Sequence, residues 1–172
     1  MEQFLFGTAY EAQNQDDIVL TPVEVAQDII DHFKPAGKCL DPCKGPGAFY
    51  DRLPLDSDWC ELKDGRDFFD YNLQVDWIVS NPPYSIFAKF LDHSFKVAEN
   101  IVYLIPINKP FNSFAILQRI KEWGGIKEIY VVAPGSKLNF PIGFCIGAVH
   151  FKRGYKGEIK ISFKPEQETA AA

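Results

Sequence analysis

Residues 76–84 read Asp-Trp-Ile-Val-Ser-Asn-Pro-Pro-Tyr, a short apolar run that ends at two consecutive prolines. Such a run is typical of a buried β-strand. Proline has no backbone N–H and a fixed φ, so the two prolines must end the strand. The next residues, 86–98, predict a helix because apolar side chains recur there at helical spacing, namely Phe87, Phe90, Leu91 and Phe95. This stretch therefore predicts a strand, a stiff turn and a helix in succession.

The same alternation continues in both directions along the chain. It predicts further strands at residues 38–41, 58–61, 101–105, 126–132, 145–152 and 159–163, helices at 21–33 and 114–123, and the start of a helix at 48–53. In the first helix, Thr21 is predicted to be the N-cap and Pro22 the first helical residue. The pattern predicts an α/β fold with a mostly parallel sheet and helices on both faces. No helix separates the last two strands, so we expect them to pair antiparallel at one edge.

Length and composition limit the class of protein. With 172 residues, 47% of them hydrophobic, the chain suits one domain. We expect this domain to span residues 21–164, between an N-terminal segment of residues 1–20 and a flexible tail of residues 165–172. No apolar run approaches the roughly 20 residues of a membrane span. The opening Met-Glu-Gln also lacks the basic start of a secretory signal.

Four cysteines do not predict a disulfide framework in a chain of this size without a secretory signal. They are Cys39, Cys43, Cys60 and Cys145. Paired short Cys or His spacings, as in metal sites, are also missing from the sequence. We therefore expect reduced thiols in a cytoplasmic protein, with no metal.

Charge is divided unevenly between the two parts of the chain. Residues 1–100 carry 8 basic and 18 acidic side chains, whereas residues 101–172 carry 10 basic and 5 acidic ones. The net charge of −5 argues against a wholly basic nucleic-acid binder. The C-terminal lysines fit either the solvated faces of edge strands or a basic face for a polyanion.

The first candidate functional turn is Asp41-Pro42-Cys43-Lys44-Gly45-Pro46-Gly47-Ala48-Phe49, here named the glycine turn. It follows a predicted strand, where ligands bind in open α/β sheets. Gly45 and Gly47 let the backbone approach a ligand closely. Glu61, at the end of the next strand, is placed to accept the hydroxyls of a ribose. The combination predicts a nucleoside-containing cofactor; the alternative is a tight strand–helix turn.

The second is Asn81-Pro82-Pro83-Tyr84, here named the proline turn. The Asn81 side-chain oxygen and the Pro82 carbonyl can together accept both hydrogens of a planar amine. Tyr84 offers a ring on which a flat base can stack. A purely structural turn is the alternative, but the position directly after a buried strand favours a functional one.

These two turns resemble those of the S-adenosylmethionine-dependent amino-methyltransferases, most closely the DNA N6-adenine type, over roughly residues 21–151. The resemblance implies a Rossmann-like class I fold with a seven-stranded type of sheet. It also implies a catalytic motif formed by Asn81, Pro82, Pro83 and Tyr84. By the same likeness, residues that bind S-adenosylmethionine are Thr21, Pro22, Asp41, Pro42, Gly45, Gly47, Phe49, Glu61, Asp67 and Phe68.

Particular roles within that set also follow from the resemblance. Thr21 and Pro22 cover the methionine portion of the cofactor, and Glu61 holds its ribose. Asp67 hydrogen-bonds the adenine amino group, with Phe68 against the adenine ring. Although a Pro-Cys pair is the nucleophile motif of cytosine-C5 methyltransferases, Pro42-Cys43 lies in the cofactor loop here, so we expect Cys43 to be a packing residue.

The implied activity is methyl transfer from S-adenosylmethionine to the N6 amine of adenine in DNA, by direct transfer to a flipped-out base. Similar proline turns occur in enzymes that methylate an amine in RNA or a protein glutamine amide, and these alternatives stay open. A non-catalytic, cofactor-binding subunit of a larger methyltransferase is a further alternative. The basic C-terminal third favours a nucleic-acid partner.

We expect no separate target-recognition domain, so recognition residues are expected on the loops of the sheet. Residues 106–112 and 134–141 are expected at the same sheet edge as the proline turn, and each joins a lysine to a phenylalanine. Lys109 and Lys137 are candidates for phosphate contacts, and Phe140 for the second face of the base. Lys152, Arg153 and Lys156 are candidates to extend the basic face; ordinary turn or surface roles are the alternative for all of these. A partner protein that supplies recognition also stays open.

Overall fold

The computed structural model describes residues 19–138 and 144–165. Seven strands form one sheet: β1 (Cys39–Asp41), β2 (Asp58–Trp59), β3 (Val75–Ser80), β4 (Ala98–Pro106), β5 (Gly124–Pro134), β6 (Cys145–Arg153) and β7 (Lys160–Phe163). Their order across the sheet is β2-β1-β3-β4-β6-β5-β7. All neighbouring strands are parallel except at β6, which is antiparallel to both β4 and β5. The predicted α/β class and mostly parallel seven-stranded sheet are confirmed.

Three helices connect or precede the strands: α1 (Val23–Phe33), α2 (Phe87–Val97) and α3 (Phe114–Trp123). Each lies within two residues of its predicted position, because its apolar side chains recur at helical spacing. In α2 the buried residues are Phe87, Phe90, Leu91, Ser94 and Val97, whereas in α3 only Ile120 is buried. None of the helices in the described part of the chain is long and apolar enough to cross a membrane.

The helices cover both faces of the sheet, as predicted. On one face, the His32 ring of α1 stacks on Tyr130 of β5, with ring centres 4.0 Å apart. On the other, Ser94 of α2 hydrogen-bonds the Tyr103 hydroxyl of β4 at 2.6 Å. Successive residues of a strand point to opposite faces. Tyr130 lies opposite Ala148 in β6 and Tyr103 lies opposite the next residue, Val149, so α1 and α2 lie on opposite faces.

The predicted pairing of the last two strands is wrong. β6 lies inside the sheet between β4 and β5, whereas β7 forms the edge and pairs parallel with β5. Burial explains the difference, since residues 146–151 of β6 are all buried while most of β7 is exposed. A continuously buried strand requires neighbours on both sides.

Two local predictions also need correction. Residues 48–53 contain only one 3₁₀ turn, Tyr50–Arg52, and no longer helix follows. Pro54 comes directly after this segment and disfavours helical backbone at Leu53, which is extended. At the start of α1 the N-cap is Pro22 rather than Thr21, and no side chain caps the helix.

The candidate site lies where the carboxyl ends of the parallel strands meet. This edge of the sheet is formed by strand ends and is distinct from the edge strand β7. β1 ends at the glycine turn and β3 at the proline turn, and these two strands are neighbours. β4 and β5 end at the same edge, and antiparallel β6 begins there. The predicted N-terminal segment falls mainly on residues 1–18, and the predicted tail falls mainly on residues 166–172; both of these ranges lie outside the described residues.

Candidate functional site

The glycine turn and the proline turn are joined by a buried hydrogen bond. Ser80, the residue before Asn81, donates its hydroxyl to Asp41 Oδ1 at 2.7 Å. The same oxygen accepts the backbone N–H of Cys43 at 3.2 Å. Both side chains are fully buried, so their geometry is set by protein contacts rather than by water. Asp41 therefore ties the two turns together.

The Asp41 carboxyl has an unusual protonation equilibrium. Burial raises its pKa to about 6, although the bonds from Ser80 and Cys43 act in the opposite direction. Burial has this effect because a low-dielectric environment disfavours the charged form. A positively charged ligand beside this carboxyl would favour ionisation. Asp41 is thus suited to a cationic group.

In the glycine turn a carboxylate lies against glycine backbone in the left-handed region. Gly45 has φ +50° and Gly47 φ +97°, conformations that favour glycine. The Gly45 N–H donates to Glu61 Oε2 at 2.9 Å, so Glu61 lies against the turn. A Cβ added at Gly45 would approach no atom closer than 4.0 Å. The turn therefore leaves open space beside Gly45, whereas a Cβ at Gly47 would meet the Asp51 carboxyl at 2.8 Å.

The thiols near this turn are not activated. Burial raises the pKa of Cys43 well above its ordinary value, and it raises the pKa of Cys39 to about 11 and that of Cys60 to about 12. A thiol must ionise to act as a nucleophile or metal ligand. The described residues contain no group of three or more His, Cys, Asp or Glu side chains suited to a metal ion.

Asn81 is oriented by the chain that precedes α1. Its side-chain nitrogen donates to the Val19 carbonyl at 2.9 Å and to Thr21 Oγ1 at 3.1 Å. Asn81 is half-buried, and Thr21 lies beside it rather than capping the helix. The amide nitrogen is therefore engaged by protein acceptors.

The rest of the proline turn is largely buried. Pro82 is buried and Pro83 half-buried. Tyr84 is 7% exposed, and its hydroxyl donates to the Leu104 carbonyl at 3.2 Å. This bond anchors the aromatic ring to β4. The predicted stacking of Tyr84 on a base stays a prediction.

Other predicted cofactor residues differ in their accessibility. Asp67 accepts the Phe69 N–H at 2.9 Å and precedes a 3₁₀ turn, Phe68–Asp70. Phe68 is 2% exposed and packs against Phe90 and His93 of α2. Its role in the structure is therefore packing, and a contact with a cofactor ring stays a prediction. Two further members of the predicted set, Phe49 and Pro42, are also buried.

The candidate recognition residues follow β4 and β5 at the same sheet edge. Lys109 lies on a 3₁₀ turn, Lys109–Phe111, and Lys137 on another, Gly135–Leu138. The predicted Phe140 lies outside the described residues. Because β6 runs antiparallel, Lys152 and Arg153 lie at the opposite edge from the two turns.

The predicted extension of the basic face by Lys152, Arg153 and Lys156 is therefore wrong in its position. Arg153 donates to the carbonyls of Phe95 and Ala98 at the end of α2. Lys156 donates to the carbonyls of Lys121 and Gly124 at the end of α3. Cations close to the last carbonyls of a helix stabilise its C-terminus. These two side chains thus have structural partners far from the candidate site.

Sequence reasoning missed Ser80 and Val19 as parts of the site. Ser80 was assigned only to the strand, yet its hydroxyl joins Asp41 to the proline turn. A polar residue at the buried end of an apolar strand was the available signal. Val19 contributes only its backbone carbonyl, for which no side-chain pattern exists.

No protein-family model and no curated protein matches this chain. Solved structures do match. A protein of Listeria monocytogenes, assigned to the class I S-adenosylmethionine-dependent methyltransferases, is 14% identical with a TM-score of 0.61, covering 90% of this chain and 68% of its own. The type IIG restriction endonuclease BpuSI is 15% identical with a TM-score of 0.62, covering 91% and 28%. A dimethyladenosine transferase from Plasmodium falciparum is 13% identical with a TM-score of 0.59, covering 79% and 63%.

This similarity establishes the architecture. The chain has the Rossmann-like α/β fold of class I S-adenosylmethionine-dependent methyltransferases, as the resemblance implied. It spans only 28% of the BpuSI chain, so in that enzyme a domain of this shape belongs to a much longer polypeptide.

Proposed function

We propose that this protein is an S-adenosylmethionine-dependent methyltransferase that modifies the exocyclic N6 amine of adenine in DNA. The observation that carries the proposal is the hydrogen bond between Ser80 and Asp41. It fixes a candidate cofactor turn directly beside a turn that presents oxygen acceptors. Methyl transfer needs this juxtaposition, because donor and acceptor must be held in line.

The residues of the glycine turn fit the cofactor. The open space beside Gly45 lets a ligand approach the backbone. The carboxylates of Asp41 and Glu61 each accept a backbone N–H of this turn. A sulfonium ion with an ammonium group would relieve the unfavourable charge of buried Asp41. In the proposal, Glu61 accepts ribose hydroxyls and Asp67 accepts the adenine amine. When bound, S-adenosylmethionine supplies a methyl group that its sulfonium already activates.

The proline turn compensates for the weak nucleophilicity of the acceptor amine. An adenine amine is a weak nucleophile because its lone pair is delocalised into the ring. With the nitrogen of its amide engaged, Asn81 offers Oδ1 as an acceptor, and the Pro82 carbonyl offers a second. Two oxygens directed at the amine hydrogens favour a pyramidal nitrogen and stabilise the positive charge it gains during attack. Tyr84, anchored to β4, would support the extruded base.

Three observations favour adenine in DNA as the acceptor. The resemblance of the proline turn favours the N6-adenine type. Among the similar structures, one is a restriction endonuclease and another a dimethyladenosine transferase. Lys109 and Lys137, at the sheet edge that carries both turns, would contact phosphates.

The first test separates transfer from cofactor binding. Asn81→Ala removes one acceptor but leaves the glycine turn intact. We expect transfer of labelled methyl to adenine-containing DNA to fall at least about 100-fold. The dissociation constant for S-adenosylmethionine, measured by calorimetry, should stay within about threefold because the glycine turn is unchanged.

Asn72→Ala is the matched control, since Asn72 is exposed just before the start of β3, away from the carboxyl ends of the strands. It should leave both quantities unchanged. Equal loss of transfer and cofactor binding in Asn81→Ala would contradict the assigned role. Mass spectrometry of pooled DNA, RNA and protein acceptors identifies the methylated atom. A product other than N6-methyladenine would contradict the proposal that adenine is the substrate.

A second candidate is a cofactor-binding subunit that needs a partner for turnover. This chain spans only 28% of the BpuSI chain, and that small share favours the alternative. Binding of S-adenosylmethionine without methyl transfer to any acceptor would support it. Transfer by the isolated chain would exclude it.

A further inference from the structure

Asn81 is held by residues far away in sequence. Val19 and Thr21 are 62 and 60 positions before it, yet both accept hydrogen bonds from its side-chain nitrogen. The short segment before α1 is therefore tied to the proline turn. Within the described residues, both hydrogen bonds of the Asn81 side-chain nitrogen go to this segment and neither goes to β3.

The Val19 carbonyl determines which way the Asn81 amide faces. A carbonyl oxygen can only accept a hydrogen bond, so at 2.9 Å it must face the amide NH₂ group and not Oδ1. Thr21 Oγ1, at 3.1 Å, serves as the acceptor for the second proton of that group. Both donors are thus directed toward residues 19–21. Oδ1 leaves the same amide carbon in a different direction and keeps its acceptor capacity.

The hydroxyl of Thr21 has no other structural task at the helix. α1 begins at Val23, its N-cap is Pro22, and no side chain caps it. Pro22 holds an extended backbone, with φ −58° and ψ 140°. This conformation is typical of proline and stiffens the segment that contacts Asn81. The Thr21 hydroxyl is therefore available to orient Asn81.

We propose that Thr21 is a positioning residue for methyl transfer. Together with the Val19 carbonyl it holds the Asn81 amide so that Oδ1, rather than the NH₂ group, faces the acceptor amine. This inference rests on the proposed function. An amide rotated by 180° would direct its own protons at the protons of the acceptor amine, and the amine nitrogen would lose an acceptor. Threonine at position 21 thus selects the productive orientation.

The test compares Thr21→Val with Thr21→Ser. Valine keeps the shape of threonine but cannot accept a hydrogen bond, whereas serine keeps the hydroxyl. We expect Thr21→Val to lower kcat about tenfold, as the loss of one hydrogen bond implies. The dissociation constant for S-adenosylmethionine should change less than about twofold, because the Thr21 hydroxyl is engaged with Asn81 and valine keeps the shape that would cover the methionine portion. Thr21→Ser should restore kcat to within about threefold of the original chain.

A second measurement does not depend on activity. In the ¹⁵N-labelled chain, the two side-chain amide protons of Asn81 are assigned by their disappearance in Asn81→Ala. We expect slow exchange with solvent for both protons, and faster exchange of one of them in Thr21→Val with the backbone spectrum retained. Unchanged exchange in Thr21→Val would overturn the inference, as would a parallel loss of kcat and cofactor affinity.

The two measurements also separate the inference from the proposed function. If the original chain transfers no methyl group to any acceptor, the proposed function fails, and the positioning role fails with it. If transfer occurs but Thr21→Val retains full kcat, only the positioning role fails.

Discussion

The Asp41 carboxyl is buried, and burial disfavours its charged form. The side chain is 1% exposed, and its pKa is raised to about 6 because burial removes water from the charged form. At neutral pH the folded chain must therefore hold an ionised group that the unfolded chain holds at lower cost. Such residues are typical of binding sites, where a ligand of opposite charge offsets the penalty.

This leads to a prediction about pH. The folded-state pKa of Asp41 lies above the ordinary value of 3.8 because burial disfavours the charged form, so the folded state binds the proton more tightly. The contribution of Asp41 to the free energy of unfolding should therefore rise as pH falls through 6 toward 4. Between pH 7.5 and 4.5 the original chain should gain about 2 kcal/mol relative to Asp41→Asn. Urea unfolding at both pH values measures this difference.

Comparison with Asp41→Asn removes the contributions of other titrating groups. One of them is His150, whose pKa is lowered to about 4 by burial and which acts in the opposite direction. Parallel pH profiles for the two chains would show that Asp41 titrates normally. Saturating S-adenosylmethionine should stabilise the original chain more at pH 7.5 than at 4.5, since its positive charge favours ionised Asp41.

At the scale of elements, the glycine turn combines a backbone requirement with an open space. Gly45 and Gly154 share a positive φ, +50° and +67°, and neither has an atom closer than 4.0 Å to an added Cβ. Gly45 lies in the candidate site, whereas Gly154 follows β6 at the opposite sheet edge. The pair therefore separates backbone strain from ligand binding.

We expect Gly45→Ala and Gly154→Ala to destabilise the chain by a similar amount, about 1 kcal/mol, because alanine is strained at positive φ. Only Gly45→Ala should weaken S-adenosylmethionine binding, by tenfold or more, because its methyl group occupies space beside the turn. Thermal unfolding and calorimetry give the two quantities. Equal affinities in the two variants would show that the cofactor does not approach Gly45.

Most elements could be predicted from the sequence, because apolar periodicity and proline positions are local properties. The run before Asn81 predicted β3, and the spacing from Phe87 to Phe95 predicted α2. Sheet order was predicted less well, because it depends on which strand is buried on both sides. The mostly apolar stretch from Ile146 to Phe151 carries that signal, whereas the missing helix between the last two strands wrongly favours pairing at the edge.

Within the site, residue types were easier to predict than contacts. The sequence indicated Asp41, Glu61 and Asn81, and the structure brings Glu61 to the glycine turn. The role of Thr21 differs from the predicted cap because its hydroxyl contacts Asn81, a residue 60 positions away. Contacts over such distances leave no local pattern.

At the scale of the whole molecule, the positive charges of the C-terminal part lie at both edges of the sheet, because β6 runs antiparallel to its neighbours. Lys109 and Lys137 follow parallel strands and lie at the edge that carries both turns. Lys127 and Lys152 lie at the opposite edge, near the start of β5 and the end of β6. A nucleic acid bound at the candidate site would therefore contact only the first pair.

Charge reversal tests this distribution. Lys109→Glu with Lys137→Glu should weaken binding of a single-stranded, adenine-containing oligonucleotide at least about tenfold at low salt. It should also reduce the slope of log affinity against log salt by about 1.4, because two phosphate contacts are lost. Fluorescence anisotropy across a salt series measures both effects.

The matched control is Lys127→Glu with Lys152→Glu, which makes the same change in net charge at the opposite edge. If binding depended on net charge alone, both double variants would lose affinity equally. If the sheet edge determines the contact, the control should retain the affinity and salt slope of the original chain, apart from a small long-range effect that salt screens. Equal losses would remove Lys109 and Lys137 from the proposed recognition surface, and the phosphate contacts would then have to come from elsewhere on the molecule.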